Sequence, residues 1–167
     1  MISRIINPIS SIPKPRVQYR YYRFRTTKIR DKTADGAGNP EGLVQISEFR
    51  LQYAGTRINY TGATATNPGG TNPVGEEPAK GIDNNTSTKW LDSSNRSIRS
   101  LVVDFSSVRI ADSFSFATAN DVIGRDPIQW TVDGSNDNIN WTTLHSQTTD
   151  ASITTSRLTY TQTFYFI

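Results

Sequence analysis

The stretch "GIDNNTSTKW", residues 81–90, contains one acidic residue, two amides and three hydroxyl side chains, and it ends on a tryptophan. Asp, Asn, Ser and Thr favour turns because their side chains bond to nearby backbone groups. Carboxylate, hydroxyl and carbonyl oxygens are also the ligands of hard cations such as Ca²⁺. The stretch therefore predicts either a polar turn that caps a strand or an oxygen cage for a cation, and the rest of the chain bears on the choice.

The composition indicates a single folded domain. The chain has 167 residues, 35% of them apolar and 10% aromatic, which allows a sizeable buried core. It contains no cysteine, so disulfides, thiolate metal sites and a cysteine nucleophile are excluded. No apolar run approaches the ~20 residues that cross a bilayer. The beginning of the chain lacks the unbroken apolar region of a secretory signal, so we expect any exposure outside the cell to occur within a larger particle.

The charge distribution separates a basic arm, residues 1–18, from the remaining residues 19–167. Residues 1–30 hold eight Lys and Arg and no acid, whereas the rest of the chain has a net charge of −5. Such an arm can bind an acidic neighbouring subunit or nucleic acid, although several arginines could simply point outward from a strand. No helix-turn-helix, zinc-finger or RNP pattern indicates specific nucleic-acid recognition. The predicted contact residues of the arm are Arg4, Lys14 and Arg16.

The hydrophobic pattern predicts an all-β fold. Short runs rich in β-branched and aromatic residues alternate with Gly, Asn, Asp, Pro and Ser clusters, and no segment has a sustained helical period. Seven strands with turns between them indicate a β-sandwich or jelly roll. Residues 61–80 are too polar and too rich in Pro and Gly for a regular element. The predicted strands are residues 19–27, 43–53, 100–105, 113–119, 128–135, 141–147 and 157–167.

The strand over residues 43–53 breaks strict alternation. Val44 and Ile46 share one face, but the next large apolar residue, Phe49, follows after a step of three. A bulge or kink at Ser47–Glu48 would restore the inward direction of the later apolar residues. It would turn Glu48 away from both the core and the normal outward row, and a carboxylate in such a place usually has a partner.

Three segments together resemble one known family. "GIDNNTSTKW", "SLVVDF" and "DPIQWTVDGSNDNINWTTL" resemble the discoidin family, also called F5/8 type C, and related galactose-binding-like carbohydrate modules. Asn84 stands where the family often has glycine, and Asn tolerates the same left-handed backbone. The family's terminal strands resemble "YRYYRF" and "VQISEFRL", but here these precede the other segments. The resemblance covers about residues 19–167, and it implies a circularly permuted, discoidin-like jelly-roll β-sandwich.

The resemblance also implies a structural calcium ion. Many family members bind Ca²⁺ between this loop and a glutamate of the tail strand, and six to eight oxygen ligands suit Ca²⁺. The alternative is a loop closed by hydrogen bonds alone, with Asp83 capping amides and Glu48 paired to a Lys or Arg. The motif places Trp90, Trp130 and Trp141 on strands, so we expect them in the core. The implied ligands are the side chains of Asp83, Glu48 and Thr88, and the backbone carbonyls of Lys80, Asn85, Thr88 and Ser47.

A second polar loop, residues 118–127, is the candidate ligand-binding loop. Sugar-binding members of the family use polar side chains on loops at one end of the sandwich, and Arg125 could bind a glycan hydroxyl or carboxylate. The alternative is a loop held together by its own Arg–Asp pairs. His145, the single histidine, has no nucleophile pattern near it, so we expect no Ser-His-Asp site. The candidate residues of this loop are Asn120, Asp121, Arg125 and Asp126.

Two functions follow from these expectations, and neither is enzymatic because no acid/base pair has a plausible spacing. The first is a structural or adhesion component on the outer surface of a virion, a minor capsid, decoration or tail-associated protein, attached to neighbouring subunits by the basic arm. The second is a lectin-like module that binds cell-surface glycans through the loops at 61–79, 91–99 and 117–127. The expected partners are protein subunits, including copies of this chain, and a cell-surface glycan. Outside a virion, the expected location is extracellular.

Overall fold

The computed structural model describes residues 16–31, 42–94, 96 and 98–167 as an assembly of eleven β-strands. Of the predicted arm contacts, Arg4 and Lys14 lie outside the described residues, while Arg16 is exposed and lies over the Tyr53 ring. The strands are β1 (Val17–Ile29), β2 (Val44–Ile46), β3 (Glu48–Tyr53), β4 (Thr56–Arg57), β5 (Thr64–Thr66), β6 (Trp90–Asp92), β7 (Arg99–Ala111), β8 (Ser113–Ala117), β9 (Pro127–Ser135), β10 (Thr142–Gln147) and β11 (Phe164–Tyr165).

The strands form antiparallel sheets that pack as a β-sandwich, which confirms the predicted fold class. One sheet has five strands in the order β10-β9-β1-β7-β5, the second has four in the order β11-β8-β3-β4, and β2 pairs with β6 in a short ribbon. The long central strand β1 pairs with β7 on one side and β9 on the other. No helix among the described residues has the length and apolarity needed to span a bilayer.

Aromatic side chains fill the space between the two larger sheets. Phe24 of β1 has no exposed surface, and its ring centroid lies 5.5 Å from that of Phe49 on β3 and 5.2 Å from that of Phe116 on β8. Trp130 of β9 is also completely buried and meets Phe116 edge to face at 5.2 Å. Alternation along each strand directs one row of side chains inward, so these rings meet across the sandwich.

The break predicted at Ser47 is present and redirects the chain from one sheet to another. Val44–Ile46 pairs with Trp90–Asp92, whereas Glu48–Tyr53 pairs with β8. Phe49 and Leu51 are completely buried in the core. Glu48 therefore points to the same face of β3 as Arg50 and Gln52, and the expectation that it would point away from both rows of side chains was wrong. It is buried because a loop covers this face.

Three local expectations were wrong. The predicted strand at 157–167 forms only the two-residue strand β11 and an isolated bridge between Tyr160 and Ala117, and the left-handed backbone of Leu158 (φ 57°) interrupts extended structure at its start. Within residues 61–80, the edge strand β5 pairs with β7, and a short 3₁₀ helix forms at Pro78–Gly81. Trp141 is only partly buried and lies beneath the Arg23 guanidinium at 4.2 Å, whereas Trp90 and Trp130 are in the core.

Candidate functional site

The loop at residues 83–88 folds around the carboxylate of Asp83. The Asn85 backbone N–H donates to Asp83 Oδ1 at 3.0 Å, and the Thr88 hydroxyl donates to Asp83 Oδ2 at 2.8 Å. Asn84 has φ 63°, a left-handed conformation that Asn adopts more readily than most residues. The Thr88 N–H donates to the Asn85 carbonyl at 3.1 Å and completes the turn. The polar residues of the stretch therefore fix its shape, as the turn interpretation predicts.

Glu48 meets this loop directly. Its side chain has no exposed surface, and its Oε1 accepts hydrogen bonds from the backbone N–H groups of Asn84 at 2.5 Å and Asn85 at 3.2 Å. The other oxygen, Oε2, is buried and has no hydrogen-bond partner among the residues that the structure describes, and the Arg57 guanidinium lies 4.0 Å from it. The tertiary structure thus brings together the two carboxylates that the sequence placed 35 positions apart.

The environment of Glu48 disfavours its charged form. The pKa of Glu48 is raised from 4.5 to about 7. Burial is the largest cause, the neighbouring Asp83 carboxyl also raises this pKa, and the two backbone amides and Arg57 lower it. A carboxyl group with this pKa titrates near neutral pH. A cation next to Oε2 would favour ionisation by replacing the solvation that burial removes.

The oxygen atoms around Glu48 suit a hard cation. Among the described residues, no group of three or more His, Cys, Asp or Glu side chains could hold a metal ion. The Glu48 and Asp83 carboxylates would therefore need carbonyl and hydroxyl oxygens to complete a ligand set, a combination typical of Ca²⁺. The unpartnered Oε2 of Glu48 is the observation in favour of such an ion. The opposing observation is that Lys80 already places its ammonium 3.7 Å from Asp83.

The remaining predicted ligands lie on the segments next to these two carboxylates. Ser47 directly precedes Glu48 at the strand break, and its own N–H and hydroxyl bond to β8 and Thr118, respectively. Lys80 belongs to the 3₁₀ helix that leads into the loop, and Asn85 and Thr88 belong to the loop itself.

The second predicted loop divides into buried and accessible residues. Asp126 has no exposed surface, and both of its oxygens bind Arg157, at 2.7 and 2.6 Å. Asp121 accepts a hydrogen bond from Lys89 at 2.7 Å, and the bond to this lysine helps to lower the pKa of Asp121 against the opposing effect of burial. Asn120 is exposed and Arg125 is partly exposed. Asn120 and Arg125 are therefore the candidate residues of this loop that are accessible to a ligand and are least engaged in bonds within the protein.

Lys89 joins three segments and was missed by the sequence reasoning. Its side chain is 7% exposed, and its ammonium lies 2.7 Å from Asp121 and 3.4 Å from Glu76. It also donates to the Gln45 side chain at 3.1 Å. No pattern in the sequence marks this lysine, because its partners come from separate loops that only the fold brings together.

The predicted glycan-binding loops contact one another. Arg96 donates to the Pro68 carbonyl at 2.6 Å, and the Thr71 N–H donates to the Asp92 carboxylate at 3.2 Å. These bonds join the loop at 61–79 to the loop at 91–99. Lys89 contacts both Glu76 of the loop at 61–79 and Asp121, so it joins that loop to the third one. Three loops that are distant in sequence therefore meet at one region of the surface.

A concavity of about 630 Å³ lies beside Asp83 and was also not predicted. Its wall is partly apolar, and one cationic side chain, Arg57, lies in it. The segment "TRINY" that supplies Arg57 and Tyr60 has no feature that distinguishes it from an ordinary strand end. The lining residues are Arg57, Tyr60, Thr61, Ala63, Thr64, Ala65, Ala79, Ile82, Asp83 and Asn84.

His145 packs among aromatic side chains. Its Nδ1 lies 3.0 Å from the Tyr165 carbonyl, and its ring stacks against Trp130 with centroids 6.5 Å apart. Phe114 meets the same ring edge to face at 5.1 Å. These contacts describe a packed side chain whose hydrogen bond goes to the backbone.

Comparison with known proteins gives one match. The model of the F5/8 type C domain family matches residues 62–166, which is more than half of the chain. The matched region contains the Asp83 loop, the 118–127 loop and strands β5 to β11. No curated protein and no solved structure matches the chain significantly.

Proposed function

The chain belongs to the F5/8 type C domain family, and from this premise we propose that it is a non-catalytic carbohydrate-binding module with a structural calcium ion. F5/8 type C domains are binding modules and are generally non-catalytic, which supports the coarse part of the proposal. Fold alone does not determine function, so the proposal rests on the sites that the fold carries.

One observation carries the carbohydrate-binding part: the loops at 61–79, 91–99 and 117–127 meet at one region of the surface through Arg96, Asp92 and Lys89. Sugar sites combine polar groups from several segments, because hydroxyls must be bonded from several directions. Asn120 and Arg125 lie at this region and would supply an amide and a guanidinium to a glycan.

Glycan-array binding followed by titration tests this proposal. Arg125→Ala and Asn120→Ala are each expected to weaken the binding of the selected glycan by about tenfold, the effect of losing one good hydrogen bond. Arg109→Ala is the matched control because Arg109 lies far from the loop at 118–127. Arg109 pairs with Tyr19 near one end of β1, whereas Pro127, the last residue of that loop, pairs with Ile29 at the other end. An array without any bound glycan would contradict the proposal, and so would equal losses in all three variants.

The calcium part rests on the buried, unpartnered Oε2 of Glu48 beside Asp83. Calcium would be held by the carboxylates of Glu48 and Asp83 and the hydroxyl of Thr88, with carbonyls from Ser47, Lys80, Asn85 and Thr88. When bound, the ion would supply positive charge that neutralises the two carboxylates and ties β3 to the loop. Isothermal titration of chelator-treated protein with Ca²⁺ tests the site, and Asp83→Asn is expected to abolish the binding.

The proposal includes a circular permutation of the family's strand order. The family match begins at residue 62, yet β1 occupies the centre of the five-stranded sheet and β3 pairs with β8 in the other sheet. Strands of the fold thus precede the matched region in the chain, which supports the permutation. A variant in which residues 16–60 are moved behind residue 167 through a flexible linker is expected to give the same circular dichroism spectrum. Loss of cooperative unfolding in that variant would contradict the proposed circular permutation.

The basic arm favours a second role, as a structural or adhesion component on the outer surface of a virion. Its support is the charge of the arm itself, because residues 1–18 contain three basic residues, Arg4, Lys14 and Arg16, and no acid. Such a segment attracts an acidic subunit surface of the same particle, and that subunit can be another copy of this chain. Deletion of residues 1–18 is expected to abolish incorporation into the particle while preserving the unfolding transition of the domain. Normal incorporation of the deleted form would contradict this role.

A further inference from the structure

We propose that the concavity between residues 57–65 and 79–84 binds the carboxylate-bearing ring of an acidic sugar, with Arg57 as the group that binds the carboxylate. This inference rests on the proposed carbohydrate-binding function and specifies a second subsite for it. The loop at 61–79 contributes to the wall of this concavity, but neither Asn120 nor Arg125 lines it, so it is a different subsite from the one assigned to those two residues. The volume of about 630 Å³ is large enough for a monosaccharide unit and part of its neighbour.

The contacts of Arg57 hold its side chain in place without using most of its donors. Its guanidinium carbon lies 4.3 Å from the centroid of the Tyr60 ring, and one terminal nitrogen donates weakly to the Ile82 carbonyl at 3.4 Å. The side chain is 24% exposed, and its Nε is buried and donates no hydrogen bond within the described part of the chain. A guanidinium offers five N–H groups in a planar fork, which matches the two oxygens of a carboxylate. Arg57 is therefore positioned in advance for an anionic group.

The rest of the wall fits a pyranose ring. Ala63, Ala65 and Ala79 present small apolar surfaces, against which the C–H face of a sugar can pack closely. Thr61 and Thr64 are exposed hydroxyl residues, and Asn84 adds an amide group. Hydroxyls and amides both donate and accept hydrogen bonds, as sugar hydroxyls require.

Charge makes this subsite responsive to the proposed calcium ion. Arg57 is shared between the concavity and Glu48, whose Oε2 lies 4.0 Å from the guanidinium, and Asp83 lines the concavity itself. Without a cation, these two carboxylates repel an acidic sugar and compete for Arg57. A bound Ca²⁺ would neutralise them, so calcium should strengthen acidic-sugar binding. By linkage, the acidic sugar should strengthen calcium binding by the same factor.

The test uses NMR titrations of the whole chain with three sugars. Methyl β-D-glucuronide and methyl α-sialoside represent the two sources of a sugar carboxylate, and methyl β-D-glucoside is the neutral control. Each is titrated with excess Ca²⁺ and with chelator, and backbone amide shifts are followed. We expect at least one acidic sugar to bind about tenfold more tightly than the glucoside, which corresponds to one charge-assisted bidentate contact.

Four variants locate the site. Arg57→Gln removes the positive charge. Ala79→Phe places a ring into the concavity from an exposed position, so it tests the site independently if Arg57→Gln disturbs folding. Both are expected to weaken acidic-sugar binding by about tenfold or more. Arg109→Gln controls for the loss of an arginine outside both proposed sites, because Arg109 lies on β7 and does not line the concavity. Val74→Phe controls for the added ring, because Val74 is 99% exposed and outside the concavity. Neither control is expected to change the affinity.

The outcomes separate this inference from the proposed function. Binding that Arg125→Ala abolishes and that Arg57→Gln and Ala79→Phe leave intact would overturn the inference and support the loop site. Equal affinity for the glucoside and both acidic sugars, or acidic-sugar binding that chelator does not weaken, would also overturn it. Absence of binding by both acidic sugars would overturn the inference too, while the glycan array decides independently whether the protein binds carbohydrate.

Discussion

Replacement of Glu48 by Gln is expected to remove a pH dependence from the stability of the metal-free protein. Glu48 is completely buried, and burial is the largest cause that raises its pKa from 4.5 to about 7. A carboxyl group whose pKa is higher in the folded state stabilises the fold fully below the unfolded pKa. That contribution is lost as the pH rises through the folded pKa. For Glu48 the loss therefore occurs between about pH 4.5 and pH 7 and is nearly complete at pH 8.

The size of the effect follows from the shift. One pKa unit corresponds to about 1.4 kcal/mol of differential interaction between the two protonation states. Between pH 5 and pH 8, ionisation of Glu48 should therefore lower the free energy of unfolding by roughly 2–3 kcal/mol. Glu48→Gln keeps the shape of the side chain and removes the charge. Its stability relative to the original chain should rise by this amount over the same interval.

Urea unfolding followed by tryptophan fluorescence measures the difference. Trp90 and Trp130 are completely buried and become exposed on unfolding. The chelator-treated original chain, Glu48→Gln and Glu77→Gln are compared at pH 5 and pH 8. Glu77 is exposed, and hydrogen bonds to the backbone amides of Gly75 and of Glu77 itself hold its pKa below its usual value. The Glu77→Gln control should therefore show the pH dependence of the original chain.

Calcium provides the second half of the same test. A ligand present at a thousandfold excess over its Kd stabilises the fold by about 4 kcal/mol. Saturating Ca²⁺ should therefore stabilise the original chain at pH 8 and leave Glu48→Gln unchanged. The reasoning about Glu48 would be refuted if Glu48→Gln and the original chain kept the same stability difference at both pH values. The calcium proposal would be refuted if neither chain responded to the ion.

Three further predictions concern stability and use the same urea assay. Arg157→Met should lower the free energy of unfolding by about 3–5 kcal/mol, because it leaves the Asp126 carboxylate buried without its partner; adding Asp126→Asn should recover part of the loss, and an unaffected single variant would show that the pair contributes nothing. Phe24→Ala should cost about 3–5 kcal/mol by opening a cavity among the rings of the sandwich, and a loss below 1 kcal/mol would contradict the packing. Leu158→Gly should raise the stability by up to about 1 kcal/mol by relieving a left-handed backbone, and any destabilisation would mean that packing of the leucine side chain outweighs this strain.

The strand pattern could be read from the sequence because it depends on local side-chain direction. Alternating apolar residues predicted β1, β7, β8, β9 and β10, and the step of three between Ile46 and Phe49 predicted the break at Ser47. The same local reasoning failed at residues 157–167, where a left-handed Leu158 interrupts the extended chain. It also failed at β5, because a short polar edge strand is held by its neighbour β7 rather than by its own pattern.

The candidate site was predictable only where a motif described it. Asp83 and Glu48 were named from the family resemblance, and the fold does place them together around the backbone amides of Asn84 and Asn85. Lys89 and Arg57 were not named, because a single Lys or Arg in a strand resembles any outward-facing charge. Their significance comes from partners on other segments, and no local pattern encodes those.

By itself, the sequence determined the all-β class, the position of the strand break and the polar character of the loop at residues 81–90. These properties follow from side-chain periodicity and turn chemistry, which act over a few neighbouring residues. Only the tertiary structure decided that Glu48 is buried with one oxygen that has no hydrogen bond among the described residues. It also decided that Asp126 is bound to Arg157 and that Arg57 lines a concavity beside Asp83. Burial and charge pairing depend on residues from segments that are distant in sequence, so they arise only when the two sheets have packed together.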